Sequence, residues 1–182
     1  GNFSTPNYLL KNTGVEELNM SGQAGYKRKR WETEAYYSRF QSKNGIFEGA
    51  HAGNITDLLA AIGRPRPITQ SVFSYDIARS YQAIQHQLAK LSGILHFANE
   101  GRLEAIAARQ TDLREEYDVS LPYTKDPTLL SKPQVSFQLI THSAELMYVQ
   151  PSHKGFSGNV GIAGNTQGNV FRGIRYLIPN FR

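Results

Sequence analysis

Cysteine is absent from the 182 residues, which removes disulfides, thiolate catalysis, iron–sulfur clusters and cysteine zinc sites together. Its absence also fits a reducing compartment. No run approaches the roughly 20 consecutive apolar residues of a membrane-spanning helix. No charged-then-apolar leader opens the chain, so the expectation is a soluble protein. Charged residues are scarce at 19%, and hydrophobic residues at 40% fall under the globular norm. Gly, Ser, Thr, Asn and Gln fill the difference and predict a real core with long irregular connections. The chain opens at Gly1, and Gly1 with Thr5 meets the loose pattern for N-myristoylation.

Against these shortages stands an excess of positive charge. Lysine and arginine number 20 against 15 acidic residues, a net charge of +5, and the isoelectric point is about 9.5. That balance favours an acidic partner: a protein surface, nucleic acid or anionic lipid.

Helical periodicity dominates the reading of the chain. Residues 1–26 carry scattered apolar positions among Pro6, Gly14, Gly22 and Gly25 and are expected to be an extended arm. From Lys27 to about Lys43 the spacing of Trp31, Ala35 and Phe40 predicts a helix stopped by Asn44 and Gly45. A short helix is expected to open at Asn54 or Thr56 and end at Gly63, ahead of Pro65 and Pro67. The residues between, Arg64 to Pro67, would turn a corner. The strongest stripe is Phe73, Ile77, Tyr81, Ile84, Leu88, Leu91 and Leu95, which predicts a long central helix over Thr69 to Asn99. Leu103, Ile106, Gln110, Leu113 and Tyr117 continue the period after Gly101 as the second arm of a helical hairpin. Residues 119–133, with Pro122, Pro127 and Pro133, read as an extended connector. Beyond it Val135, Phe137 and Leu139 alternate with polar residues as a strand does, and Leu146 to Val149 predicts a second strand after a turn near His142. Gly155, Gly158, Gly161, Gly164 and Gly168 suit a flexible loop before a final strand-like run, Val170 to Ile178.

The fold class expected is therefore α+β: a helical body over 27–118 built on a long central helix, then a small antiparallel β tail over 134–182. No internal repeat argues for a solenoid.

Chemical motifs are few. The glycines lack the spacing and the strand-to-helix context of a phosphate-binding loop. His96 and Glu100, one helical turn apart, could share a metal, but such a pair more often marks a helix end. His142, Ser143 and Glu145, with His153 beyond, permit a nucleophile-and-base arrangement without the scaffold that usually carries one. Glu32 with Glu34, and Glu115 with Glu116, are neighbours on solvated faces. The expectation is no catalytic residue, no metal and no cofactor.

Basic residues beside aromatics make the better case. Lys27, Arg28, Lys29 and Arg30 lead into Trp31, Tyr36 and Tyr37, and the C-terminus interleaves Arg172, Arg175, Tyr176, Phe181 and Arg182. Such a surface anchors a protein interface or clamps phosphates while rings stack on bases. The function expected is a non-enzymatic structural or assembly protein, a linker, scaffold or capsid-like subunit, whose Tyr- and Arg-rich arms bind acidic protein partners. Nucleic-acid binding through the basic clusters is the alternative, and a toxin-like or effector enzyme the third reading.

Overall fold

The computed structural model describes residues 9–47, 54–66, 70–118 and 132–169. In chain order the elements are β1 (Leu9–Leu10), β2 (Val15–Lys27), β3 (Trp31–Gly45), α1 (Ile55–Ile62), β4 (Gln70–Ser71), β5 (Tyr81–His96), β6 (Arg102–Tyr117), β7 (Val135–His153) and β8 (Phe156–Asn169). The long strands form one six-stranded antiparallel sheet in the order β2-β3-β5-β6-β7-β8, and β1 pairs with β4 separately. The protein is thus mostly β with one short helix, and the helical body expected from the sequence is not formed.

Each misread segment has a physical reason. Ala83, Gln85, Gln87, Leu88 and Ala89 are strong helix formers, yet they lie in β5, where hydrogen bonds to β3 and β6 replace the local helical ones. In a strand alternate side chains take opposite faces. Tyr81, Leu91 and Leu95 therefore share one face and Ile84 and Leu88 the other, so the apolar stripe is split. The segment expected as a helix from Lys27 is β3, and the second arm of the expected helical hairpin is β6. The arm over 1–26 contains all but the last residue of the 13-residue strand β2. His142 interrupts nothing, since β7 runs through it for 19 residues. The glycine-rich segment is strand β8, paired along its length with β7. The expected short helix does form: Asn54 accepts from the Asp57 N–H at 2.9 Å, and the Gly63 N–H donates to Leu59. Most of the proline-rich connector and the run from Val170 onward lie outside the described residues.

Three hairpin loops are short. Arg28 and Trp31 exchange both backbone hydrogen bonds, at 2.8 and 3.3 Å, leaving Lys29 and Arg30 as a two-residue loop. The Phe97 N–H bonds Gly101 at 2.8 Å around Ala98, Asn99 and a left-handed Glu100 (φ 66°). Lys154 and Gly155, at φ 50° and 86°, join β7 to β8 with the positive dihedrals a type I′ turn requires. Just before that turn the register shifts between Gln150 and His153, a bulge at Pro151, which has no N–H to give the ladder.

The chain divides into two compact units. The first comprises Gly1–Leu18, Gln41–Ile84 and Arg114–Ser136. Its polar interior is organised by Asn12, whose side-chain amide donates to the carbonyls of Ile46 (3.0 Å) and Ser80 (2.7 Å). Gly45 is obligatory beside it, because a Cβ there would lie 2.5 Å from the Asn12 carbonyl oxygen. Lys43, Tyr81 and Tyr117 stack in series, with the ammonium 4.3 Å from the first ring and the rings 4.5 Å apart. Burial, reinforced by Glu115, pushes the Tyr117 phenol above its ordinary range. Arg79 reaches the Asp118 and Lys132 carbonyls and the Gln134 side chain, tying together the flanks of the β6–β7 connection.

The second unit comprises Asn19–Phe40, Gln85–Leu113 and Phe137–Arg182. It holds the three short hairpin loops.

Candidate functional site

Among the described residues no hydrophobic side chain is buried; the only buried side chains are Asn12, Thr13, Ser42 and Asn169. A sheet of 13- to 19-residue strands without an apolar core directs attention to its two faces within the second unit.

The faces are identified by the contacts they make. On one, the Lys27 ammonium lies 2.7 Å from Glu32, and His96 Nε2 lies 3.0 Å from the same carboxylate oxygen. One position along β3, Glu34 accepts from Gln23 at 3.3 Å and faces Lys90 at 3.8 Å, while Lys90 also sits 5.8 Å from the centre of the Tyr36 ring. Arg102 pairs with Glu104 at the start of β6. This face is bridged from strand to strand by ion pairs, and alternation places Leu88, Ile94 and Ile106 on it as well. A shallow open depression of about 280 Å³ lies over Lys27, Glu32, Glu34 and Ser92.

Alternation sends the neighbours of these residues to the other face. Tyr26 and Trp31 meet there with ring centroids 5.4 Å apart and tilted by 56°. Leu18, Met20, Tyr37, Leu91 and Leu95 share that side, all exposed. On the last hairpin, Leu146 lies opposite Ile162 and Tyr148 opposite Val160. Ile162 is 74% exposed, Val160 69% and Phe156 77%. Side chains of this size each forgo about 1.5–3 kcal/mol when left in water rather than buried. Contiguous apolar surface on this scale marks an interaction face.

The apolar stretch has a limit along each strand. It runs from Leu18 to Tyr26 in β2, Trp31 to Tyr37 in β3, and Leu103 to Ala107 in β6, where Arg109 follows; Arg39 ends it in β3 and Gln87 in β5. For β2 and β3 this is seven to nine residues, or roughly 23–30 Å at about 3.3 Å per residue. Rings concentrate beside the short turns: Tyr26, Trp31, Phe97, Tyr148 and Phe156, with Phe97 and Tyr148 6.1 Å apart.

The connections follow a matching order. Along the meander they alternate short (28–30), long (46–80), short (97–101), long (118–134) and short (154–155).

The residues marked out by the sequence are distributed over this geometry. Lys27 closes β2, Arg28 to Arg30 form the exposed turn, and Trp31 opens β3 on the apolar face. Tyr36 and Tyr37 point to opposite faces, Tyr36 beside Lys90 on the polar one. Arg172, Arg175, Tyr176, Phe181 and Arg182 lie outside the described residues. His96 turns away from Glu100 to Glu32, and no group of three His, Asp or Glu able to hold a metal occurs among the described residues. His142, Ser143, Glu145 and His153 are all exposed on β7, and the odd–even spacing of His142 and Glu145 puts them on opposite faces, so they do not converge. The sequence reading missed the two-faced alternation itself. Its signal is legible in β2, where Leu18, Met20, Ala24 and Tyr26 alternate with Glu17, Asn19, Ser21, Gln23 and Lys27.

No family model, no curated protein and no solved structure matches this chain.

Proposed function

We propose that this chain supplies wall strands of a membrane-embedded β-barrel, its apolar face toward lipid and its ion-paired face toward a water-filled interior that passes polar solutes. The observation that carries this reading is an apolar face left uncovered among the described residues, on a sheet whose opposite face carries ion pairs from strand to strand. Strands that cross a bilayer show this apolar-out, polar-in alternation, an outward apolar band about 25 Å tall edged by aromatic residues, and short turns at one end with longer loops at the other. β2 and β3 carry an apolar stretch of about that length, and Tyr26, Trp31, Phe97, Tyr148 and Phe156 stand beside the short turns. That no helix among the described residues is long and apolar enough to cross a membrane has no bearing on crossing by strands. A closed barrel leaves no unpaired edge in lipid; among the described residues β2 and β8 have one neighbour each, so in this reading those edges pair with strands of further copies of the chain.

The test uses Trp31, the only tryptophan. The chain is diluted from urea into neutral phosphatidylcholine vesicles carrying bromine at a shallow acyl position. The expected result is sheet formation with quenching of Trp31 emission. A chain that stays in the aqueous phase with Trp31 unquenched overturns the reading.

A second reading keeps the assembly role: the apolar face would be covered by another protein, with Arg28 to Arg30 meeting an acidic surface. The exposure of those three cations favours it. Under this reading a protein complex survives without detergent or lipid.

A further inference from the structure

We propose that the β2–β3 turn is a site for the anionic phosphate headgroups of the bilayer, formed by Arg28, Lys29 and Arg30 beside the Tyr26–Trp31 ring pair. It rests on the barrel-wall reading and names the lipid class this rim selects.

Three observations converge on the turn. First, its cations are uncompensated. Lys27 is neutralised by Glu32 at 2.7 Å and Arg102 by Glu104, whereas Arg28, Lys29 and Arg30 are exposed and make no ion pair among the described residues. Three successive positive charges at the tip of a tight hairpin repel one another, and a multivalent anionic surface relieves that repulsion. Second, the positive charge is local. The other short turns carry Ala98, Asn99 and Glu100, or Lys154 and Gly155, so the basic tip is no general coating of the rim. Third, the turn adjoins Tyr26 and Trp31, whose rings meet at 5.4 Å on the apolar face. Tyrosine and tryptophan settle where hydrocarbon gives way to headgroups. Rings at that depth hold the next residues of the hairpin among the phosphates, where arginine binds oxygen pairs in bidentate fashion and lysine acts as a point charge. A protein or nucleic acid would also satisfy the charge, but the adjoining rings favour the lipid surface.

The experiment compares the full 182-residue chain with an Arg28→Gln/Lys29→Gln/Arg30→Gln variant. Both are bound to vesicles of phosphatidylcholine alone and of phosphatidylcholine mixed with phosphatidylglycerol, with Trp31 quenching by brominated lipid as the readout. The anionic vesicles are expected to bind the parent chain about a hundredfold more tightly than the neutral ones, at roughly fivefold per cation. The difference is expected to vanish in molar salt and in the triple variant, and to persist when the arginines become lysine. The neutral vesicles are the folding control and should bind both chains alike. If Trp31 is unquenched in neutral and anionic vesicles, the barrel-wall reading falls and this inference with it. If Trp31 is quenched equally in both, or the triple variant keeps its preference, the headgroup site is overturned while the wall reading stands. Suppression of the preference by micromolar inorganic phosphate or a single-stranded oligonucleotide would overturn the lipid assignment in favour of a free phosphate or a nucleic acid.

Discussion

Residues 91 and 92 are neighbours in β5, yet one belongs to each kind of surface. Leu91 is 58% exposed on a face where Tyr26, Trp31 and Leu95 are also uncovered. Ser92 borders the depression over Lys27, Glu32 and Glu34. On the ion-paired face Glu32, Glu34 and Glu104 have cations, and Leu88, Ile94 and Ile106 lie among them. The apolar face is completed only by something apolar from outside. A globular domain resolves this asymmetry by folding a second layer over the apolar side, and among the described residues no such layer exists. The contrast therefore bears on the surroundings more than any single residue does, since under the barrel-wall proposal the solvent of one face differs from that of the other.

The strongest way to break the contrast is a charge at each of the two neighbours. In the vesicle-folded protein Leu91→Arg is expected to cost about 2–4 kcal/mol, the range for arginine near the middle of a barrel's lipid face. Ser92→Arg should change stability by less than about 0.5 kcal/mol, as a surface substitution does. Urea titration of both variants decides the matter, and equal costs would mean that the two faces see the same medium. A smaller effect comes from labelling. Because the chain lacks cysteine, single cysteines can be placed at Ile162 and at its neighbour Ala163. A water-soluble maleimide should react with the cysteine at 163 about tenfold faster than with the one at 162 in vesicles, since the thiol needs water to ionise. In urea the two rates should converge. A third change, Gly155→Ala, touches the turn that sets the β7–β8 register. Its positive φ of 86° makes any side chain costly, by about 1 kcal/mol. The chain should fold less stably with both faces affected equally, which separates a general loss of sheet from loss of one face.

How much of this is legible in the sequence depends on the segment. α1 is readable because its signals are local: Asn54 caps it, Gly63 ends it, and Leu58, Leu59 and Ile62 need no partner to be periodic. β7 is half readable, since Val135, Phe137 and Leu139 alternate before the pattern relaxes. β5 and β6 are misread because alanine, glutamine and leucine favour helix locally, and apolar side chains on both faces of a strand imitate a three-and-four spacing. β8 is misread for another reason. Glycine at positions 158, 161, 164 and 168 signals flexibility in isolation, whereas opposite β7 it lies in a paired strand whose larger apolar residues, Phe156, Val160 and Ile162, all fall on one face. For the candidate site, the basic run at 27–30 and Trp31 were visible as a cluster. Their separation into a paired Lys27, an exposed tip and a ring on the apolar face depends on the hairpin, which composition does not report. The negative finding at His142, Glu145 and His153 likewise follows from strand geometry, which assigns adjacent positions to opposite sides.

The smallest expected effect bears on what fills the space beside the polar face. Lys90 and Glu34 lie 3.8 Å apart with side chains 39% and 40% exposed. If that face is bathed in water, a double-mutant cycle of Lys90→Ala and Glu34→Ala should return a coupling of about 0.2–1 kcal/mol, shrinking as salt is raised. If the face is instead covered by protein in the assembled state, removing one partner strands a buried charge. Each single variant then costs about 3–5 kcal/mol, with little dependence on salt. The two ranges do not overlap. A small, salt-sensitive coupling together with a large penalty at Leu91 requires water on one side of the sheet and lipid on the other, whereas large values at both positions require a protein layer and return the chain to an assembly role.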